Sequence, residues 1–194
     1  MTKISSLCVY CGSRMPTDPS HIDASKSLGQ ALAENGIRLV YGGGHVGLMG
    51  VIADATLAAN GQVIGIIPRH LHDIEVGHEK LTELHVVDSM HARKEMMFQM
   101  CDAFAVLPGG LGTLDETFEM ITWRQLRLHD KPILLVNHKK YWQPLLDLMD
   151  HMIDAGFVEA EAREFFTVVE RLEEIIPTLM NEPEAEFRAD ISKF

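Results

Sequence analysis

"IRLVYGGGHVGLMGVIADATLAANGQVIGIIP", residues 37 to 68, changes its hydrophobic period twice. Its ends are short runs rich in Val, Ile and Leu, the composition of strands buried on both faces. Between them "LMGVIADATLAANG" spaces its apolar residues for a helix that stops at Gly61. The glycines at 42 to 44 lie where the backbone must turn sharply out of the strand. This is a strand–helix–strand unit, and the rest of the chain repeats the alternation.

Residues 4 to 10 read as a strand, and "HIDASKSLGQALAENG" as a helix terminated at Gly36. Downstream, 69 to 80 form a polar, His-containing loop, "LTELHVVD" a strand, and "MHARKEMMFQM" a helix. "AFAVLP" and "PILLVN" are strands separated by "ETFEMITWRQLRL", a helix. The helix "YWQPLLDLMDHMIDAG" ends at Gly156, and "FFTVV" with "RLEEIIPTLM" closes the core. Alternation at this spacing predicts an α/β fold: a single doubly wound, Rossmann-like domain whose mostly parallel sheet carries helices on both faces. The domain is expected over 1–180, with a polar tail over 181–194. Ligands of such sheets sit outside the carboxyl ends of the strands.

The chain has 194 residues, 46% of them hydrophobic, which is enough for one sizeable core. A net charge of −11 and the lack of any basic run argue against nucleic acid as a partner. No secretory leader or membrane span is expected. Three cysteines cannot all pair, which suits a reducing, cytoplasmic setting. Cys8 and Cys11 form a C-x-x-C, but on a strand they face opposite sides, so plain buried thiols are the expectation.

Two glycine loops fall at strand ends. Gly42, Gly44 and Gly47 fit G-x-G-x-x-G, yet the following strand ends in "IIPRH" without the acid of a dinucleotide site. Arg69 there would suit a 2′-phosphate, which leaves an NADP oxidoreductase as one alternative. "PGGLGT", residues 108 to 113, follows an apolar strand and opens a helix, so its N–H groups converge on one spot. It lacks the lysine of a Walker loop, and a single phosphate suits it better than a triphosphate with magnesium.

Thr113 and Glu116 have the spacing of a capping box, in which both side chains serve the helix's own N–H groups. The other reading puts a phosphate on those amides and turns Glu116 towards the ligand's sugar. Arg93 and Lys94 stand near a helix start, where cations oppose the dipole. Their place at a strand's carboxyl end favours a ligand-facing role over a solvated pair. The ten histidines form no metal constellation in sequence, and no G-x-S-x-G elbow is present.

Together "CVYCGS", "VYGGGHVGLMG", "MHARK" and "PGGLGTLDE", in this order, resemble the Lonely Guy (LOG) family, cytokinin-activating nucleoside 5′-monophosphate phosphoribohydrolases formerly labelled lysine decarboxylases. The resemblance spans nearly the whole chain. It implies hydrolysis of the N-glycosidic bond of an adenine-type nucleoside 5′-monophosphate, with Arg93 and Glu116 as the catalytic pair. It implies substrate contacts from Ser13, Gly43, Gly44, Glu75, Met90, Lys94, Gly109, Gly110, Leu111, Gly112, Thr113, Leu114, Asp115 and Thr122. It further implies no cofactor, no metal, and a homodimer with active sites near the subunit interface. The Met-rich helix 90–100 suits such a surface, or simply the core.

Two departures from the family pattern are Arg14, where a small residue is frequent, and Asp115, where glutamate is commoner. Neither touches the catalytic pair. The decarboxylase label would require pyridoxal phosphate on a lysine, and no feature marks Lys94 for a Schiff base. Arg93 is expected to keep Glu116 ionised, which fits it as base, nucleophile or electrostatic stabiliser and not as proton donor. A nucleotide sensor that binds AMP without cleaving it is the alternative from a different class.

Overall fold

The computed structural model describes residues 4–72, 78 and 80–181. In chain order these form β1 (Ser6–Tyr10), α1 (Ser20–Glu34), β2 (Arg38–Tyr41), α2 (Gly47–Ala58) and β3 (Val63–Pro68). A single turn α3 (Arg69–His72), β4 (Glu83–Val87), α4 (Met90–Gln99), β5 (Ala103–Val106) and α5 (Leu111–Gln125) follow. The last elements are β6 (Ile133–Val136), α6 (Gln143–Asp154), β7 (Thr167–Val169) and α7 (Ile175–Asn181).

The strands make one sheet in the order β4-β3-β2-β1-β5-β6-β7, and every pairing in it is parallel. Alternate residues of each strand serve opposite cores, as the two-residue period of a strand requires. Leu7 and Val9 of β1 pack with Leu28 of α1, Ile52 of α2 and Leu179 of α7. Cys8 and Tyr10 pack with Met97 and Phe98 of α4, Met120 of α5 and Leu146 of α6. The sheet is therefore doubly wound, as the alternation predicts. Cys8 and Cys11 enter different cores, and all three cysteines are free and buried. Of the methionines in α4 and at its C-terminal end, Met97 is buried, Met96 and Met100 pack against the same core, and Met90 is exposed.

The winding positions the site. From β1 to β4 the chain moves outward in one direction, and β5 then returns to the other side of β1. Tyr10 is in register with Val106, and the Gly12 N–H donates to the Pro108 carbonyl at 3.0 Å. The loops leaving β1 and β5 thus run side by side at the point where strand order reverses, the place where open α/β sheets leave a crevice.

Some boundaries differ from the sequence reading. The segment 69–80 begins with the turn α3 and not as loop. α5 begins at Leu111, five positions before the expected Glu116, because the glycine turn itself supplies the first helical residues. The expected tail lies outside the described residues from 182 onward. No helix among the described residues is long and apolar enough to cross a membrane.

Candidate active site

The early start of α5 changes what Thr113 and Glu116 can do. Gly110 is the N-cap, and no side chain caps the helix. Thr113 is then the third helical residue and Glu116 the sixth, so the capping-box reading fails on position. The first amides, from Leu111 to Thr113, have no partner within the helix, since the first turn closes with Leu114 N–H to the Gly110 carbonyl at 3.0 Å. Gly110 and Gly112 have nothing within 4 Å of where a Cβ would stand, whereas at Gly109 a Cβ would meet Thr113 Oγ1 at 2.1 Å. Gly109 is thus a packing glycine. Gly110 and Gly112 leave the helix terminus open.

What it opens onto is a cavity of about 710 Å³, a size typical of small-molecule sites. Its walls are residues 11–16 after β1, Met90 and Arg93 of α4, residues 108–113, Glu116 and Tyr141. His21 at the start of α1 completes one side. A second cavity of about 550 Å³ along α7 carries no residue from either glycine loop.

Arg93 reaches this cavity because Gly42 has no side chain. A Cβ on Gly42 would lie 1.8 Å from Arg93 Nη2, and that nitrogen donates to the Gly42 carbonyl at 3.3 Å. Ser89 caps α4 by accepting from the Ala92 N–H at 3.1 Å, which offsets the unfavourable cation in the first turns. Arg93 is buried, its Nη1 lies 3.9 Å from Glu116 Oε1, and its Nε has no protein partner. A buried guanidinium donor left unpaired is costly unless a ligand meets it.

Glu116 is equally buried. Burial raises its pKa, Arg93 lowers it less, and the net result is a carboxyl group pushed up to about 7. This corrects the expectation that Arg93 keeps Glu116 fully ionised. At 3.9 Å the pair is not directly hydrogen-bonded, so desolvation outweighs attraction. A carboxyl balanced near neutrality exchanges protons in either direction, so proton donation is no longer excluded.

The other expected contact residues divide. Ser13, Met90, Gly109, Gly110, Leu111, Gly112 and Thr113 line the cavity. Gly43, Gly44, Lys94, Leu114, Asp115 and Thr122 do not. Gly43 and Gly44 are buried away from its lining, and Leu114 packs against the sheet core. Lys94 joins α4 to α5 through Asp115 at 3.2 Å and Glu119 at 3.0 Å. Thr122 is exposed three turns along α5. Glu75 lies outside the described residues.

Tyr141 and His21 carried no sequence signal as site residues. Tyr141 Oη donates to the Gly109 carbonyl at 2.6 Å and steadies the glycine turn from the far side of β6. Arg14, one of the departures from the family pattern, also lines the cavity.

The G-x-G-x-x-G segment is spent on packing. Gly47 has φ +63°, and a Cβ there would lie 2.4 Å from the Arg14 nitrogen. The Leu48 N–H donates to the Gly12 carbonyl at 2.9 Å. The N-terminus of α2 is therefore covered by the β1–α1 loop, where a dinucleotide would need its pyrophosphate.

The family model described as possible lysine decarboxylase matches residues 49–179. A cytokinin riboside 5′-monophosphate phosphoribohydrolase of Rhodococcoides fascians is 42% identical over 90% of this chain and 88% of its own. The enzyme of that name called LOG in Oryza sativa subsp. japonica is 42% identical over 91% of this chain and 76% of its own. Among solved structures, the molybdenum cofactor carrier protein of Chlamydomonas reinhardtii superposes with a TM-score of 0.68 at 18% identity, covering 93% of this chain and all (100%) of that one. A molybdenum cofactor binding protein from Rippkaea orientalis gives 0.67 at 21% identity, with 93% and 100% covered. At such identities the structural likeness speaks for the fold alone.

Proposed function

Because the chain belongs to the Lonely Guy (LOG) family, we propose that it hydrolyses the N-glycosidic bond of adenine-type nucleoside 5′-monophosphates, releasing free base and ribose 5-phosphate. The observation that carries this reading is the buried Arg93–Glu116 pair facing the uncapped start of α5 across one cavity. The open amides of Leu111, Gly112 and Thr113 receive the 5′-phosphate, aided by the helix dipole and by Arg14 and Ser13 beside them. Met90 borders the base.

The bond to the base breaks with its electron pair leaving on the base, and the sugar becomes cationic, as in glycosidase transition states. The Glu116 carboxylate stabilises that charge and takes one proton of the attacking water, whose hydroxyl bonds to the sugar carbon, while the departing base takes up a proton from solvent. Arg93, which lines the same cavity, places its positive charge beside Glu116 and towards the ribose. Lys94 has a different part. Burial disfavours its charge, but Glu119 and Asp115 outweigh this and raise its pKa. A Schiff-base lysine needs the opposite shift, so pyridoxal phosphate does not fit here and the decarboxylase description gains no support. Instead Lys94 and Asp115 fix α4 against α5, and with them Arg93 against Glu116.

Thr122 lies about 16 Å along α5 from Leu111, at ~1.5 Å per residue, too far to touch a ligand at the helix start. We infer a homodimer from the substrate contact that the family resemblance implies for Thr122, since a contact from that position would come from a second copy of the chain. Sedimentation at micromolar concentration is expected to give a dimer; a monomer there would remove Thr122 from the site.

Replacing Glu116 with Gln tests the catalytic role. Charge is lost while shape is kept, so turnover of AMP is expected to fall by about 10²–10³ with AMP affinity little changed. Full turnover in Glu116→Gln would remove the carboxylate from the mechanism. A wild-type chain that binds AMP and never cleaves it would instead favour the sensor.

A further inference from the structure

We propose that His45, Asp54 and His78 form a binding site for a zinc-like divalent transition-metal ion, separate from the Arg93–Glu116 cavity. The three come from the β2–α2 loop, from α2, and from the chain ahead of β4, so no spacing in the sequence announces them. Their ligand atoms lie within 4.8 Å of one another, the one such group of three among the described residues. His45 Nε2 is 3.4 Å from Asp54 Oδ2, and His78 Nε2 is 2.9 Å from Asp54 Oδ1. Two ligands each about 2.0–2.2 Å from one tetrahedral ion stand roughly 3.3–3.5 Å apart, so donor atoms gathered within 4.8 Å would draw together by about an ångström to seat one ion.

Two imidazoles and one carboxylate are the donor set of zinc, cobalt and nickel, not of magnesium or calcium. The two rings meet edge to face with centroids 4.4 Å apart. One ion between them satisfies both nitrogen lone pairs and the carboxylate together. His78 is the anchored ligand: it is buried, and its backbone N–H donates to the Gly43 carbonyl at 3.3 Å. Asp54 is fixed on α2. His45 is half exposed, which leaves a route for the ion and positions for water.

Without metal, His78 Nδ1 accepts from the Lys80 N–H at 3.3 Å, which puts the ring proton on Nε2 facing Asp54. An ion at Nε2 moves that proton to Nδ1 and ends the Lys80 contact, a long one. The ion would clip residue 78 to α2 and to the glycine loop whose Gly42 seats Arg93. The role is structural, because none of the three ligands lines the cavity.

The test uses the full-length chain stripped with a chelator and titrated with Co²⁺, read by visible absorption, and with Zn²⁺, read by calorimetry. One saturable equivalent is expected, together with a higher thermal midpoint in Zn²⁺. His45→Ala and Asp54→Asn alter exposed side chains and should fold as the parent does. Each is expected to weaken binding at least tenfold, since even outer-shell changes cost roughly 10–100-fold. No saturable equivalent, or unchanged affinity in both variants, would overturn the site. Neither readout depends on base release, so this result and the catalytic reading stand or fall separately.

Discussion

Glu116 is the residue on which the proposed chemistry and the stability of this protein meet. Its folded-state pKa of about 7 stands above the ordinary 4.5 of a free glutamate. A raised carboxyl pKa stabilises the fold fully below the unfolded value and loses that contribution as pH rises through the folded value. From the cited values the loss runs between about pH 4.5 and 7, and a shift of that size corresponds to about 3 kcal/mol. Glu116→Gln does not titrate. Urea denaturation should therefore find the variant close to wild type near pH 4.5 and more stable by roughly 1–3 kcal/mol at pH 8. A stability difference that does not change with pH would contradict the burial argument. The position of Glu116 was legible in the sequence, from its place after the glycine loop. Its protonation was not, because the depth of burial and the 3.9 Å gap to Arg93 are tertiary facts.

At the scale of elements, two glycines next to the site make opposite predictions. At the end of β2, an alanine in place of Gly42 would drive a methyl group into the guanidinium of Arg93. Gly42→Ala is expected to lower turnover by about 10², as loss of a preorganised charged group does. At the start of α5, Gly110 has an extended φ of −106° and open space around it. Gly110→Ala should change stability by less than about 0.5 kcal/mol. Its methyl would stand in the seat proposed for the phosphate and is expected to weaken AMP by about tenfold or more, from ~1–3 kcal/mol of overpacking. Steady-state kinetics separates the two, because the first acts on kcat and the second on KM; the reverse pattern would mean that the two loops have been assigned the wrong tasks. Strands and helices were readable because parallel strands buried on both faces are continuous apolar runs between amphipathic helices. The start of α5 was not, since Leu111 and Gly112 carry no helix-start chemistry, and neither was Tyr141, whose bond to Gly109 spans 32 positions.

At the scale of the whole molecule, the same Rossmann-like sheet serves this chain and the molybdenum cofactor carrier protein at 18% identity. Architecture provides a crevice between β1 and β5, and the side chains brought there decide the chemistry. This chain brings one open helix start, two arginines (Arg14 and Arg93) and one glutamate, with no Walker lysine. Binding energy from the phosphate is then used at the distant glycosidic bond, so removing it should cost turnover as well as affinity. The most direct measurement is kcat/KM for adenine release from adenosine, AMP, ADP and ATP under identical conditions. AMP is expected to be cleaved fastest, with adenosine slower in kcat as well as weaker in KM; equal rates on AMP and adenosine would contradict a mechanism built on the α5 phosphate seat.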